Sequence, residues 1–229
     1  MDKYKSLLFK PKRLIGKAIS PNVKASFLQS NFLINDLRVL DVGCGNSSVL
    51  EVKKFLPECT YVGIDVTDLN QNDSSKLLMD EYKITDSKNF HEAIREYGPN
   101  FDLVISAHNL EHCDEPLKTL SAMLSVIKHN GYIYLSFPSK KSISFPSRKG
   151  TLNYYDDETH KKHPPDFDKI VDLIKGSGFE IKYSAKEYKP LIGSFIGLLN
   201  EPFSRYKNQV LRGTWDYYGF QSIIQAKKL

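Results

Sequence analysis

A glycine-containing stretch of the chain and one acidic residue after it could together bind a ligand. The stretch is Asp41-Val-Gly43-Cys44-Gly45, and its glycines let a ligand approach the backbone because they have no side chain. Asp65 lies farther along, at the end of the next apolar run, where a carboxylate can accept both hydroxyls of a ribose. The pattern predicts a ribose-containing ligand, and the alternative is a tight turn plus a helix-capping acid.

A second group of residues could move protons. It comprises His108-Asn-Leu-Glu111-His112 and a later histidine, His160. Histidine exchanges protons near neutral pH, so we predict His112 as a general base, with His160 and Glu111 as further catalytic candidates. The letters also match the H-x-x-E-H metalloprotease pattern, which we attribute to coincidence because a buried strand precedes them. The alternative is that Glu111 caps a helix and the histidines only pack.

Composition restricts the class of protein. The chain has 229 residues and a formal net charge of +5, and it is 41% hydrophobic, which is ordinary for a globular domain. Its three cysteines form neither a disulfide framework nor a cysteine-only zinc site by spacing. The longest apolar run, 191–199, is too short to span a membrane and contains two glycines.

The positive charge is concentrated at the start of the chain. Residues 1–24 carry seven basic side chains and one acid, and the remainder is close to neutral. We predict that 1–24 form a basic arm able to contact an anionic membrane. The alternative is a solvated terminal segment, and the near-neutral remainder argues against DNA binding. The expected location is the cytoplasm, at the inner face of the membrane if the arm binds there.

Strand-length apolar runs alternate with segments of helical period, which predicts an α/β fold with a parallel sheet and crossover helices. The predicted strands include 38–42, 61–64 and 101–106, and a third strand is expected over 76–79, followed by Asp80. Strand ends in such a sheet meet at one edge, where ligands bind.

Two long segments interrupt this alternation. Segments 139–165 and 185–218 exceed ordinary connections, and long loops in a domain are usually binding elements or lids. We therefore predict one domain, 25–229, whose two insertions form a substrate cap.

Four motifs resemble those of the class I S-adenosylmethionine-dependent methyltransferases. They are Val39-Leu-Asp-Val-Gly-Cys-Gly45, Tyr61-Val-Gly-Ile-Asp65, Phe101-Asp-Leu-Val-Ile-Ser106 and the Leu-Glu-His segment that ends at His112. The resemblance implies a doubly wound, Rossmann-like sheet of seven strands with the last antiparallel. It also implies that S-adenosylmethionine lies across the ends of strands one, two and four.

The same resemblance implies a role for each matching residue. Asp41, Gly43, Cys44 and Gly45 would face the methionine part of the cofactor, Asp65 the ribose and Asp80 the adenine, with Ala107 and His108 beside it. The chain departs from the family at Ser47, where many members have a third glycine. A dinucleotide-binding dehydrogenase is the nearest rival, and Ser48 in place of its last glycine argues against it.

A narrower resemblance concerns a metal. His108, Glu111, His112 and His160 are similar to the metal-binding set of the small-RNA 3′-end 2′-O-methyltransferases. Such a donor set would suit zinc or another transition metal better than magnesium. Because His108 replaces one carboxylate of that set, we expect catalysis without a metal.

The expected function is O-methylation of a sugar or glycan precursor. The insertions combine aromatic rings with amides and carboxylates, which suits sugars, and 145–160 resembles bacterial methyltransferases of surface-polysaccharide biosynthesis. Three alternatives stay open: another small molecule, an RNA 3′ end, and a silent partner protein that keeps the fold.

Overall fold

A computed structural model describes residues 23–32, 36–68 and 71–229. Its strands are β1 (Arg38–Val42), β2 (Thr60–Asp65), β3 (Glu81–Ile84), β4 (Phe101–Ala107), β5 (Ile127–Pro138), β6 (Phe179–Ala185) and β7 (Gln221–Lys228). Its α-helices are α1 (Val23–Asn31), α2 (Ser48–Phe55), α3 (Asp73–Lys76), α4 (Phe90–Arg95), α5 (Pro116–Ser125), α6 (Phe167–Gly176), α7 (Leu191–Tyr206) and α8 (Thr214–Tyr218).

The strands form one sheet in the order β3-β2-β1-β4-β5-β7-β6. Neighbouring strands from β3 through β5 are parallel, whereas β7 runs antiparallel to both β5 and β6. This is the predicted doubly wound, mostly parallel sheet of seven strands with the last antiparallel. The first turn of such a sheet lies beside the point where the strand order reverses, which is where ligands bind.

Both faces of the sheet are covered because its central strands are apolar on both sides. Successive side chains of a strand point to opposite faces. In β1, Leu40 and Val42 pack into the core formed with α4, α5 and α6, whereas Val39 packs into the core formed with α1 and α2. A strand buried on both faces reads as a continuous apolar run, which is why this strand was predictable residue for residue.

The third strand was predicted wrongly. Residues 73–76 form helix α3, started by the Asn72 side chain, which accepts a hydrogen bond from the Ser75 backbone. The strand follows at Glu81–Ile84 and pairs with β2, with Glu81 opposite Val62 and Ile84 opposite Asp65. Asp80 therefore precedes β3, at the amino edge of the sheet, and not at its carboxyl edge.

The two insertions, 139–165 and 185–218, pack against each other, and their role as a substrate cap stays a prediction. Arg148 in the first insertion makes a two-pronged ion pair with Glu201 on α7, with N–O distances of 2.6 and 2.7 Å. Lys149 forms an isolated parallel bridge with Gln209. Trp215 of α8 donates from Nε1 to the Thr151 carbonyl at 2.8 Å. These contacts hold the two insertions together although they are distant from each other in the sequence.

The described part of the chain begins inside the predicted basic arm. Lys24 belongs to α1 and is buried, with its Nζ 2.8 Å from Ser48 Oγ and 3.3 Å from Glu51 Oε2. It is therefore part of the domain and not of a free arm, and residues 1–22 of the predicted arm lie outside the described residues. Among residues 23–32, 36–68 and 71–229, no helix is long and apolar enough to cross a bilayer.

Candidate active site

The turn after β1 is shaped by two glycines. Gly43 and Gly45 have φ of +71° and +49°, the left-handed region that side chains disfavour. A Cβ on Gly43 would lie 2.4 Å from the Asn109 side chain, whereas at Gly45 no described atom lies within 4 Å. The turn is therefore closed by Asn109 on one side and open at Gly45.

Asp65 lies directly beside this turn. Its Oδ2 accepts a hydrogen bond from the Gly45 backbone N–H at 3.0 Å, and its Oδ1 accepts one from Val66 N–H at 2.7 Å. The carboxylate is half-buried, and each oxygen keeps acceptor capacity beyond the bond it makes. The structure thus brings together the glycine turn and the acid, as the sequence predicted.

Asp41 and Cys44 lie inside the protein rather than at the surface of the turn. Asp41 accepts hydrogen bonds from Ser48 Oγ and, at 2.8 Å, from the Tyr61 hydroxyl. Burial raises the pKa of Asp41, and the charge of Lys24 partly offsets that rise. Burial also raises the pKa of the Cys44 thiol well above its usual range. Both side chains hold the turn against α2 and β2, and the predicted contacts of both with the cofactor stay predictions.

Asp80 does not reach this edge, which corrects the adenine assignment. It accepts from the Tyr61 backbone N–H at 2.7 Å and from Lys53 Nζ at 2.8 Å. The carboxyl end of β3 instead leads to Thr85 and Asp86, and Thr85 N–H donates to the Asp65 carbonyl. The alternating Glu-Tyr-Lys-Ile segment before Asp86 was the available signal for this strand.

A cleft opens at the carboxyl edge of the sheet. It is lined by Val66 after β2, by residues from 87 to 91 after β3 and by residues from 109 to 119 after β4, His112 among them. Ala107 ends β4 beside Ser136 of β5. The cleft therefore extends from Val66, the residue after the ribose candidate Asp65, to the proton-transfer candidate His112.

The residues at the turn fit a polar nucleoside cofactor. The Gln71 side-chain amide donates to the Gly45 carbonyl, and its buried Oε1 has no hydrogen-bond partner in the described part of the chain. Burying an amide oxygen without a hydrogen-bond partner costs free energy, and a ligand that donates a hydrogen bond to it would recover that free energy. This orphaned acceptor, the Asp65 carboxylate and the open Gly45 backbone form a coherent binding surface.

His108 occupies a strained position at the end of β4. Its φ is +52°, which costs a residue with a side chain about 1 to 3 kcal/mol. Its ring lies against Trp215 and Phe220, with centroids 5.3 and 6.1 Å away, and its Nδ1 is 3.0 Å from Glu111 Oε1. His108 thus contacts the cap and Glu111.

Three of the four predicted metal or base residues converge. One ligand atom each from Glu111, His112 and His160 lie within 4.8 Å of one another, a group that does not include His108. Glu111 is 1% exposed, and its Oε2 has no hydrogen-bond partner among the described residues. Burying a carboxylate oxygen without a partner costs free energy. A proton, a cation or a polar group of a substrate bound at this atom would offset that cost.

The hydrogen bonds fix which nitrogen of each histidine carries a proton. Thr159 Oγ1 donates to Asp157 Oδ1 at 2.6 Å, because a carboxylate can only accept. The Thr159 oxygen must then accept from His112 Nδ1–H at 2.9 Å. His160 Nδ1 likewise donates to the Tyr154 carbonyl at 2.6 Å. In the tautomer that these bonds select, Nε2 of each ring carries the lone pair, as a base or a metal ligand requires.

Sequence reasoning counted Asp157 and Thr159 among the polar residues of the insertion that suit a sugar, and it missed their hydrogen-bonded connection to His112. Although burial opposes it, hydrogen bonds from the Thr159 side chain and backbone lower the pKa of Asp157 below its usual range. Asp157 Oδ2 also lies 3.9 Å from His160 Nε2. The close spacing of Asp157, Thr159 and His160 in the sequence was the only signal, because the partner His112 lies in a distant segment.

Comparisons with known proteins agree with this geometry. A family model described as a methyltransferase domain matches residues 11–183. Curated relatives include a mitochondrial ubiquinone biosynthesis O-methyltransferase of Dictyostelium discoideum, 27% identical, with 61% of this chain and 47% of the relative covered. The counterpart from Dinoroseobacter shibae is 30% identical, with 63% and 59% covered. The chain therefore spans about half the length of these relatives.

A solved structure similar to this fold is a SAM-dependent methyltransferase from Archaeoglobus fulgidus. The two chains are 22% identical with a TM-score of 0.54, and the match covers 90% of each. At this identity the likeness shows a shared fold.

Proposed function

We propose, because this chain belongs to the methyltransferase-domain family, that it transfers a methyl group to a hydroxyl oxygen at the cleft beside His112. The cofactor is S-adenosylmethionine, which supplies the methyl group from its sulfonium. The observation that carries the oxygen-directed proposal is that one ligand atom each from Glu111, His112 and His160 lie within 4.8 Å of one another, while Glu111 Oε2 has no hydrogen-bond partner among the described residues. The names of the curated relatives also favour an oxygen acceptor.

His112 is proposed as the general base. An alcohol is a weak nucleophile until its proton is removed, and a positioned base contributes roughly 10² to 10⁴-fold. His112 lines the cleft, and its Nε2 is the unprotonated nitrogen because Nδ1 donates to Thr159. His112 Nε2 would accept the proton of the acceptor hydroxyl, while S-adenosylmethionine, when bound, would give up its methyl group and leave as S-adenosylhomocysteine. The imidazolium that forms is stabilised through Thr159 by the Asp157 carboxylate.

Glu111, His112 and His160 offer a second version of the same site. One carboxylate and two imidazole nitrogens fit a divalent transition metal, and the unpartnered Glu111 Oε2 favours this version. A cation held there would lower the pKa of a bound hydroxyl. We propose the metal-free version first, in line with the sequence expectation.

The proposed acceptor is a sugar or glycan precursor. Tyr155 is 57% exposed next to the buried Tyr154, which stacks on His160 with ring centroids 4.5 Å apart. Glu158 and Thr159, three and four residues later, are also exposed, so this segment offers both a flat ring and polar groups, a combination that suits sugars. A phenolic hydroxyl is the second candidate, which the ubiquinone relatives favour.

Methyl transfer measured with S-adenosylmethionine labelled in its methyl group tests the proposed activity. The same assay distinguishes the general-base version of the site from the metal version. We expect His112→Ala to reduce turnover roughly 10² to 10⁴-fold with unchanged cofactor affinity, and a chelator to have no effect. Inactivation by chelator, with recovery on adding a divalent ion, would select the metal version instead. Full activity of both His112→Ala and His160→Ala would contradict both versions.

The acceptor class is tested by comparing glycans of a deletion strain and its parent by mass spectrometry. Loss of one methyl group from a glycan is expected. Unchanged glycans, together with methylation of a catechol-type phenol by the purified protein, would replace the sugar with the phenolic acceptor.

A further inference from the structure

Helix α7, in the second insertion, is oriented with its apolar side outward. Its buried residues are small: Gly193, Gly197 and Ser204. Seven of its large apolar residues are exposed, from 38% for Ile192 to 88% for Tyr206, and Ile196 is half-buried. The seven are Leu191, Ile192, Phe195, Leu198, Leu199, Phe203 and Tyr206. We call these seven residues the α7 outer face. A helix that packs on a core normally turns its large apolar side chains toward the core and its polar side chains toward solvent.

Specific contacts hold the helix in this orientation. A Cβ on Gly197 would lie 2.0 Å from the Gly213 carbonyl oxygen, so the two backbones touch. Ser194 Oγ donates to the Asp216 carbonyl at 3.0 Å, and Asn200 Nδ2 donates to the Arg212 carbonyl at 3.0 Å. Rotation of α7 would break these bonds and bring bulky side chains against Gly213. The outer face is therefore a fixed feature of the surface.

The size of the face indicates an interaction site. A helix of 16 residues is about 24 Å long at 1.5 Å per residue, and the seven residues follow one side of it. Contiguous apolar patches of this kind are rare on monomeric soluble proteins and mark protein or membrane contacts.

The charges around the face are those that suit an anionic surface. The one acid of α7, Glu201, is neutralised by Arg148 at 2.6 and 2.7 Å. Arg205, at the end of the helix, and Lys207 and Arg212 after it are exposed. An amphipathic helix with an apolar face of Leu and Phe and with basic residues beside it is typical of helices that lie in the membrane interface.

These charges disfavour a second copy of the chain as the partner. In a twofold dimer the patch faces a second copy of itself, so a surface with the exposed Arg205, Lys207 and Arg212 would face a surface that carries the same positive charges. Like charges brought together at an interface are unfavourable.

We infer that the α7 outer face lies on the surface of a bilayer that contains anionic lipid, with the helix parallel to the membrane plane. The α7 outer face is made of residues other than those of the predicted basic arm, 1–24. Electrostatic attraction of an arm is screened by salt, whereas insertion of apolar side chains is not. Binding that persists at high salt is therefore the signature of α7.

Sedimentation with vesicles of phosphatidylcholine and phosphatidylglycerol, using the full chain at high salt, tests the inference. The variant Leu198→Gln/Leu199→Gln/Phe203→Gln removes three of the seven apolar side chains. At positions 198 and 199 it replaces one good helix former, leucine, with another, glutamine. We expect it to lose roughly tenfold or more of the vesicle partition coefficient. The matched control Leu77→Gln/Leu117→Gln changes apolar residues that are 85% and 39% exposed elsewhere and should bind as the parent does.

Each other outcome counts against the inference. Equal binding of the triple variant and the parent at high salt would overturn it, as would a parent that does not bind vesicles under these conditions. A parent dimer that dissociates in the triple variant would identify the face as a contact between copies. S-adenosylhomocysteine affinity and the melting temperature of the triple variant show that it is folded, so failure here is distinct from failure of the methyl-transfer proposal.

Discussion

At the scale of single residues, the site depends on the bonds that orient the histidines. Thr159 has one hydroxyl hydrogen, which it donates in a hydrogen bond to the Asp157 carboxylate. His112 must then present Nδ1–H to the Thr159 oxygen, which leaves Nε2 free toward the cleft. Thr159 is a positioning residue in this account because it acts through His112.

Thr159→Val removes the acceptor for His112 Nδ1–H at nearly constant volume. We expect kcat to fall about tenfold, which corresponds to the 1.4 kcal/mol of one hydrogen bond, with the KM for S-adenosylmethionine unchanged. Thr159→Ser should restore kcat because it returns the hydroxyl. Steady-state kinetics of the parent, Thr159→Val and Thr159→Ser measure these changes in kcat and KM. A rise in cofactor KM, or no rescue by serine, would assign Thr159 a structural role.

At the scale of elements, one buried ion pair is among the contacts that join the two insertions. Arg148 is 4% exposed and donates to Glu201 and Ser204 of α7. Hydrogen bonds from Arg148, together with its charge, lower the pKa of Glu201 despite partial burial. Removing one partner of a buried pair costs about 3 kcal/mol or more.

Glu201→Ala is therefore expected to lower the free energy of unfolding by about 3 kcal/mol, and Glu201→Gln by less because it keeps hydrogen bonding. The folded pKa lies below the unfolded value of about 4.3, so the stabilisation is complete above that value. It is lost as pH falls through the lower folded pKa. Urea unfolding at a series of acidic pH values should show a steeper loss in the parent than in Glu201→Gln. Parallel curves would contradict the role of the pair.

The elements also show what the sequence could and could not predict. Strand β1 was predicted to the residue because both its faces are buried. Strand β3 was missed because it is an edge strand with only exposed and half-buried residues, so it lacks an apolar signature. The apolar run ending at Met79 drew the prediction instead, and α3 begins just before that run at Asp73, where the Asn72 cap starts it.

The candidate site was predictable in the same uneven way. The glycine turn and Asp65 lie at the ends of adjacent buried strands, so their proximity follows from the sheet alone. Contacts across the insertions do not follow from local pattern, since Thr159 meets His112 and Arg148 meets Glu201 over long separations in the sequence. Those pairings depend on how the cap folds over the sheet.

At the scale of the whole molecule, the basic residues at the start of the chain add a second route to a membrane. Lys24 is paired inside the domain, so the test of the arm removes residues 1–22 only. We expect this deletion to abolish the salt-sensitive part of binding to anionic vesicles while leaving turnover on a soluble acceptor intact. Equal low-salt binding with and without these residues would dismiss the arm.

The central claim is that the cofactor lies at the carboxyl edge of the sheet, between the glycine turn and Asp65. Calorimetric titration with S-adenosylhomocysteine of the parent, Asp65→Ala and Asp80→Ala tests it most directly, because Asp80 is an acid at the opposite edge. We predict at least a tenfold loss of affinity in Asp65→Ala, since a hydrogen bond to a charged group is worth about 1.5 to 3 kcal/mol, and parental affinity in Asp80→Ala. Unchanged affinity in a folded Asp65→Ala variant, or an equal loss in Asp80→Ala, would contradict the account.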